Sequence, residues 1–149
     1  LPYATIFGGI TALTVGQFEK LNGFSNDYWG WGGEDDDMAS RVKLHGYEIS
    51  RYDANIARYK MVKHNQEKEN AVNECRFSLM YKVNRRWPKD GLTTLDYKIL
   101  NITFENLFTR ILVDLKEEES RIKLAKEKIC SKNLESHVLE IIRNKKLVL

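Results

Sequence analysis

The chain has 149 residues, of which 42% are hydrophobic and 30% are charged, and its formal net charge at pH 7 is +3. These values are ordinary for one globular domain and exclude a low-complexity or fibrous chain. Residues 116–149 hold nine Lys and Arg against six acids, so the first 115 residues are neutral. Because this excess of positive charge is small and confined to the tail, it argues against a nucleic-acid partner.

The first predicted element is a short helix that follows residue 14. Thr14 and Gln17 have the spacing of a capping box, in which each side chain bonds to the other residue's backbone. Apolar residues then recur at helical spacing until Asn22-Gly23, a typical helix stop. The sequence therefore predicts a helix of about two turns here.

Residues 29–37 read Trp-Gly-Trp-Gly-Gly-Glu-Asp-Asp-Asp and are the most informative part of the chain. The tryptophans offer flat surfaces on which a sugar ring can stack, and the glycines allow unusual backbone angles. The acids begin a second predicted helix with basic residues further along and a stop at His45-Gly46. Helix capping needs one acid rather than four and does not explain the tryptophans, so we interpret the string as an active site.

Several short strands and one loop are predicted after this helix. Tyr47–Arg51 and Ile56–Met61 are predicted as strands, whereas residues 65–74 are polar, without periodicity, and are predicted to form a mobile loop. Alternating apolar residues predict two further strands around Leu95–Ile99 and Ile111–Leu115. Because helices and strands interleave, the predicted fold class is α/β.

Beyond residue 115 the sequence becomes rich in Lys and Glu, and we divide the chain into residues 1–115 and a helical extension over 116–149. The extension has apolar positions at helical spacing: Ile122, Ala125, Ile129, Leu134, Val138, Ile141 and Ile142. We interpret it as a solvated helix packed on the domain, with a basic surface for a membrane or partner as the alternative. Cys75 and Cys130 could pair or remain free, and Asn101-Ile102-Thr103 is a glycosylation sequon.

Residues 1–115 resemble the C-terminal part of the catalytic domain of the β-1,4-galactosyltransferase family. The resemblance rests on these strings: residues 7–13 (Phe-Gly-Gly-Ile-Thr-Ala-Leu), residues 22–37, residues 61–64 (Met-Val-Lys-His), Asp90-Gly91-Leu92 and Val113-Asp114. It implies a GT-A-like nucleotide-sugar transferase fold. It further implies a longer enzyme that is anchored in the Golgi membrane, on the lumenal side, by a segment outside this chain.

The resemblance assigns the transfer chemistry to the acids after the tryptophans. It makes Asp35 the base that accepts the proton of the attacking hydroxyl, in a single displacement with inversion. Asp36 would hold a neighbouring acceptor hydroxyl, and Glu34 would shape the pocket for donor and acceptor. Trp31 and Gly32 would contact the donor.

The resemblance also implies a metal site and two closing loops. Met61 and His64 would bind Mn²⁺ together with an aspartate outside this chain, and the soft thioether of methionine would make the binding weak. Residues 30–33 and about 62–82 would close over the bound donor. The implied acceptor-lining residues are Tyr3, Arg76, Phe77 and Met80. The fragment on its own is expected to be inactive.

One position bears on the donor sugar. Ile6 stands where galactose-transferring members have tyrosine, and it resembles the smaller residue of invertebrate β-1,4-N-acetylgalactosaminyltransferases. Isoleucine leaves room for an acetamido group, so we predict UDP-GalNAc as donor, with UDP-Gal as the alternative, and a terminal GlcNAc as acceptor. Two other readings remain: a non-catalytic fragment that binds sugar or protein, and an unrelated acidic divalent-cation site, although the acids lack the alternating spacing of a calcium loop.

Overall fold

The computed structural model describes residues 3, 5–60, 62, 63, 65, 67–127 and 129. Seven elements follow one another in these residues: α1 (Val15–Lys20), α2 (Glu34–Leu44), α3 (Arg76–Tyr81), α4 (Val83–Arg86), β1 (Lys98–Phe104), β2 (Thr109–Asp114) and α5 (Glu117–Lys126). Two 3₁₀ turns, Trp87–Lys89 and Leu92–Thr94, connect α4 to the strands. None of the helices in the described part of the chain is long and apolar enough to cross a membrane.

Both predicted helices of the first half are confirmed. The Thr14 side chain accepts a hydrogen bond from the Gln17 backbone, and the Gln17 side chain accepts one from the Thr14 backbone. Helix α2 has acids in its first turn, where they face the positive end of the helix dipole, and basic residues in its last turn. It begins after Gly33, which has a φ of 97° and provides no capping side chain.

Helix α2 packs on the first of two apolar clusters, which consists of Phe7, Leu21, Met38 and Val42. Tyr47 and Ile49 are partly buried against this cluster. The predicted strand Tyr47–Arg51 is nevertheless wrong, because its alternation buries side chains in this cluster without pairing the backbone with another strand.

The second predicted strand is also wrong over residues 56–60, which form a turn and an extended segment. Ile56 and Tyr59 are exposed, so their alternation does not correspond to a buried face. Met61, the last residue of that prediction, lies outside the described residues. Residues 67–75 contain neither helix nor strand apart from one backbone bridge at Val72, as expected of a loop.

Helices α3 and α4 were not predicted and lie within or just after the segment expected to be a closing loop. Leu79 of α3 is completely buried in the second apolar cluster, which also contains Cys75, Leu124 and Ile129. Cys75 is disulfide-bonded. The chain's other cysteine, Cys130, lies outside the described residues.

The two remaining predicted strands are confirmed with shifted boundaries as the antiparallel hairpin β1–β2. Its register pairs Ile99 with Val113 and Ile102 with Ile111, and a bulge lies between Ile99 and Asn101. Most hairpin side chains are exposed, including the apolar ones.

Helix α5 covers the described start of the predicted helical extension. Leu124 is its buried residue, whereas the predicted apolar positions Ile122 and Ala125 are only partly buried. Ile129 is buried in the second cluster. The predicted helical positions from Leu134 to Ile142 lie outside the described residues.

Candidate active site

The acidic start of α2 lies against the N-terminal segment of the chain. The Tyr3 hydroxyl donates a 2.8 Å hydrogen bond to Asp36 Oδ1. Gly8 lies against Asp35, and a Cβ atom added at Gly8 would clash with Asp35 Oδ2. Only glycine therefore allows the Asp35 carboxylate to approach the Phe7-Gly8-Gly9 backbone this closely. The structure brings together Tyr3, Asp35 and Asp36, three of the predicted site residues.

The four acids of the first turn differ in their surroundings. Glu34 is exposed, Asp35 and Asp36 are half-buried, and Asp37 is completely buried. Asp35 Oδ1 accepts a 3.0 Å hydrogen bond from the Asp36 backbone amide, which fixes the carboxylate at the helix start. Asp35 and Asp36 thus have the exposure that contact with a sugar hydroxyl requires, whereas Asp37 cannot reach a ligand.

Tyr3 is electrostatically coupled to these acids. Its hydrogen bond to Asp36 raises the pKa of the Tyr3 phenol to about 12, with smaller contributions from burial and from the negative charges of the three acids Glu34 to Asp36. The phenol therefore stays protonated at neutral pH and remains a hydrogen-bond donor. Tyr3 can therefore hold the Asp36 carboxylate in one orientation by donating this hydrogen bond.

The tryptophan loop, residues 29–33, packs on α3. A Cβ at Gly33 would lie 2.9 Å from Arg76 Cβ and 3.3 Å from Met80 Sδ, so the missing side chain lets the loop touch the helix. The Arg76 guanidinium lies 5.8 Å from the Trp31 ring centre and 4.6 Å from that of Phe77. These distances are typical of cation–π contacts. The loop and the predicted acceptor residues Arg76, Phe77 and Met80 therefore form one surface.

The backbone of Trp31 also pairs with the loop before α3. Its amide donates a 2.8 Å hydrogen bond to the Ala71 carbonyl, and its carbonyl accepts a 2.9 Å bond from the Asn73 amide. The result is an isolated parallel bridge between Trp31 and Val72. Two segments predicted to close over a donor are thus bonded to each other.

The remaining predicted donor and metal residues are located as follows. Ile6 is half-buried, and its carbonyl accepts a hydrogen bond from Arg51. Gly32 lies beside Arg76, with space for a Cβ 3.4 Å from Arg76 Cδ. Met61 and His64 lie outside the described residues. Within the described part of the chain, no group of three or more His, Cys, Asp or Glu side chains could hold a metal ion.

A buried charge network holds α2 in place, and sequence reasoning missed it. Arg41 Nε donates a 2.6 Å hydrogen bond to Asp37 Oδ1, and its Nη1 donates to the carbonyls of Gly23 and Asp90. Arg86 Nη2 donates to Asp90 Oδ2 at 2.7 Å and to Asp27 Oδ2 at 3.0 Å. Asp90 belongs to a string quoted for the resemblance and follows Arg86 by four residues, whereas the other partner of Arg86, Asp27, is 59 residues away in the sequence.

The network also connects to the tryptophan loop through Tyr28. The Tyr28 hydroxyl donates a 3.0 Å hydrogen bond to Asp37 Oδ2. Burial and the negative charge of Asp37 raise the pKa of the Tyr28 phenol, so it remains a donor. Burial likewise raises the pKa of the Asp37 carboxyl, although Arg41 and Arg86 oppose this shift. Asp37 therefore has a structural role as the partner of Arg41 and Tyr28, and it does not cap the helix.

A second missed residue is Ser120 of α5. The Trp29 indole Nε1 donates a 2.7 Å hydrogen bond to Ser120 Oγ, which donates in turn to Asp27 Oδ1 at 3.3 Å. The tail is therefore in direct contact with the tryptophan loop. No sequence signal distinguishes this serine from other polar residues of an amphipathic helix.

Comparison with known proteins gives matches over most of the chain. Residues 1–65 match a family model described as the N-terminal domain of galactosyltransferase. The chain is 48% identical to cattle (Bos taurus) β-1,4-galactosyltransferase 3 over 115 residues, which are 77% of this chain and 29% of the relative. It is 47% identical over 114 residues to β-1,4-galactosyltransferase 4 of Cricetulus griseus, covering 76% of the chain and 33% of the relative. The chain thus spans about a third of the length of these relatives.

One solved structure supports the fold. It is a mutant of Drosophila β-1,4-galactosyltransferase 7, in complex with manganese, UDP-Gal and xylobiose. The TM-score is 0.51 and the sequence identity 24%, with 76% of this chain and 51% of that chain covered. The fold is therefore a partial α/β domain of the GT-A-like kind, as the sequence predicts.

Proposed function

Because this chain belongs to the β-1,4-galactosyltransferase family, we propose that it forms the acceptor side of a glycosyltransferase that moves a sugar from a UDP-sugar to a hydroxyl of another sugar. The observation that carries this proposal is the placement of two half-buried carboxylates, Asp35 and Asp36, at the start of α2 between Tyr3 and Gly8. A sugar hydroxyl that enters this space meets a proton acceptor and a hydrogen-bonding partner at once.

In the proposed reaction Asp35 is the general base. It accepts the proton of the acceptor hydroxyl while that oxygen bonds to the donor carbon and the bond to UDP breaks. Asp36, held by Tyr3, would orient a neighbouring hydroxyl of the same sugar. One base on the acceptor side suffices for a single displacement with inversion, by analogy with inverting hydrolases. Exposed Glu34 would contact donor and acceptor at the pocket edge.

Arg76, Phe77 and Met80 would line the acceptor pocket opposite Tyr3. Their shared surface with the tryptophan loop supports this role, since it combines two exposed aromatic rings with a cation. Flat apolar faces beside hydrogen-bonding groups are suited to sugar rings. A terminal GlcNAc is the proposed acceptor, because its acetamido methyl can contact the apolar part of this surface.

The proposed donor is UDP-galactose or UDP-N-acetylgalactosamine. The names of the relatives favour galactose. Ile6, which is smaller than the tyrosine of galactose-transferring members, favours a donor with an acetamido group. We propose that Ile6 lets the enzyme accept N-acetylgalactosamine, and the ratio of the two donor rates tests this.

We propose Mn²⁺ as the metal, held by the imidazole of His64 and the thioether of Met61. Imidazole and thioether are both softer ligands than the oxygen atoms that Mn²⁺ prefers, so the pair would hold the ion weakly. When bound, the ion would neutralise the departing diphosphate. We place the enzyme in the Golgi lumen, and the disulfide at Cys75 supports an oxidising compartment.

A chimera tests the proposal. The matching 115 residues of cattle β-1,4-galactosyltransferase 3 are replaced by those of this chain, and transfer to a GlcNAc glycoside is measured with Mn²⁺ and each UDP-sugar. Asp35→Asn should lower kcat by about 10²-fold or more, as loss of a general base does. Asp96→Asn, an exposed acid paired with Lys116, is the matched control and should leave kcat unchanged.

Three outcomes would contradict the proposal in whole or in part. Normal turnover of the Asp35→Asn chimera would remove the base assignment. An unchanged ratio of UDP-GalNAc to UDP-Gal rates after Ile6→Tyr would remove the role of Ile6. GlcNAc binding without turnover in the parent chimera would favour a non-catalytic sugar-binding fragment.

A further inference from the structure

A cleft of about 530 Å³ lies between the tryptophan loop, the loop of residues 69–74 and the start of α5. Ligand pockets in proteins are about 300 to 1,000 Å³, so the cleft has room for a small ligand. Trp29 and Gly30 form one wall, and Glu117 and Arg121 of α5 contribute to another. Helix α5 lies beyond residues 1–115, which carry the strings quoted for the family resemblance, so this cleft is built partly from residues outside that part of the chain.

The charges that line the cleft disfavour an anionic ligand. Arg121 Nε and Nη2 both contact Glu117 Oε1, at 2.7 and 2.6 Å, so this guanidinium is already paired. Glu69 and Glu74 add two more carboxylates to the lining. A sulfated, phosphorylated or carboxylate ligand would meet like charge here. An uncharged ligand with hydroxyl groups can instead donate hydrogen bonds to the carboxylates.

Trp29 supplies a flat surface that is fixed in position. Its Nε1 is bonded to Ser120, and its ring packs against the cluster that contains Leu79 and Leu124. A ring already held in one orientation loses little further freedom when a ligand stacks on it. A pyranose ring, with one apolar face and several hydroxyls, matches both the tryptophan and the carboxylates.

The cleft shares the tryptophan loop with the proposed acceptor site. Trp29 and Gly30 line it, and the same loop continues through Gly33 directly into Asp35 and Asp36. We propose that the cleft binds an uncharged sugar unit of the acceptor, adjacent to the unit that reacts, and that α5 supplies part of this second subsite. The proposal rests on the proposed function, since it assigns the rest of the acceptor to this cleft.

The test compares a monosaccharide with a disaccharide. The 149-residue chain is titrated with GlcNAc and with N,N′-diacetylchitobiose by calorimetry. We expect the disaccharide to bind about three- to tenfold more tightly, which corresponds to one or two hydrogen bonds. In the double variant Glu117→Ala/Arg121→Ala, the disaccharide should bind no more tightly than GlcNAc, while the affinity for GlcNAc stays unchanged.

A matched control lies on the same helix. Glu119→Ala/Lys123→Ala removes the same types of charge at the same spacing, at exposed positions that do not line the cleft. It should keep the disaccharide advantage. Ala71→Trp, which fills the cleft from the opposite wall, should abolish it without touching α5.

The outcomes separate this proposal from the proposed function. If GlcNAc binds and the disaccharide gains nothing, or if the gain survives both cleft variants, the second subsite is overturned while the acceptor site stands. If neither sugar binds the parent chain, both proposals fail. Near-ultraviolet circular dichroism of each variant shows whether its fold is kept.

Discussion

The region around α2 and the β1–β2 hairpin are held together in opposite ways. Around α2, the completely buried ion pair of Arg41 and Asp37 is joined to Asp90, whose sequence position is 49 residues from Arg41. The hairpin strands are neighbours in sequence, and nearly all of their side chains are exposed. The site region thus depends on distant, specific partners, whereas the hairpin depends on backbone pairing and turn geometry.

The largest expected effect is at Arg41. Arg41→Met should destabilise the chain by about 3–5 kcal/mol, because it removes the nearer of the two cations beside the buried Asp37 carboxylate, which keeps only Arg86 Nη1 at 3.6 Å and the Tyr28 hydroxyl. Ile102→Ala in the hairpin, at a side chain that is 45% exposed, should cost only about 0.5 kcal/mol. Urea denaturation of both variants measures the difference.

Lys43→Met is the control for Arg41→Met, because Lys43 is an exposed cation on the same helix. It should change the free energy of unfolding by less than about 0.5 kcal/mol. If Arg41→Met proves as mild as Ile102→Ala, the buried network does not dominate the stability of the site region.

A smaller effect is expected where α5 meets the tryptophan loop. Ser120→Ala leaves the Trp29 Nε1 without its acceptor and should cost about 1–3 kcal/mol. Ser120→Thr keeps the hydroxyl and should lose less. Thermal unfolding measures the stability, and the indole Nε1–H resonance of Trp29 reports the bond directly. An unshifted resonance in Ser120→Ala would show that the hydrogen bond is not formed in solution.

The smallest expected effect is the pH dependence of stability that arises from Tyr3. Its pKa of about 12 lies above the ordinary value of 10, because the hydrogen bond to Asp36 favours the protonated phenol in the folded state. The resulting stabilisation is fully present below pH 10 and is lost as the pH rises towards 12. In Asp36→Asn the Tyr3 pKa should fall towards 10, as followed by the ¹³Cζ chemical shift. An unchanged pKa would contradict the contact.

Local signals predicted the elements whose causes are local. The capping box of α1, the acidic first turn of α2 and the alternation in β1 and β2 each act within a few residues, and all four elements are present. The predicted strands at Tyr47–Arg51 and over residues 56–60 fail because alternation alone does not supply a partner strand.

Sequence motifs predicted some residues of the site but not the partners that lie far away in the sequence. The string of residues 29–37 pointed to the acids, and the resemblance named Tyr3, which bonds to Asp36, and Arg76, which lies beside Gly33 of the tryptophan loop. Arg86 and Ser120 lie 59 and 93 residues from Asp27, the residue they share, and nothing local marks either of them. The resemblance gave Asp37 no role in the transfer, and its complete burial agrees with a structural role.

The bridge between Trp31 and Val72, which are 41 positions apart in the sequence, is made by two backbone hydrogen bonds. Neither segment can swing outward alone without breaking both bonds. The amide protons of Trp31 and Asn73 should therefore exchange with deuterium at a shared rate, as members of one cooperative unit. Opening of the sugar-stacking surface and opening of the loop before α3 would then be a single event.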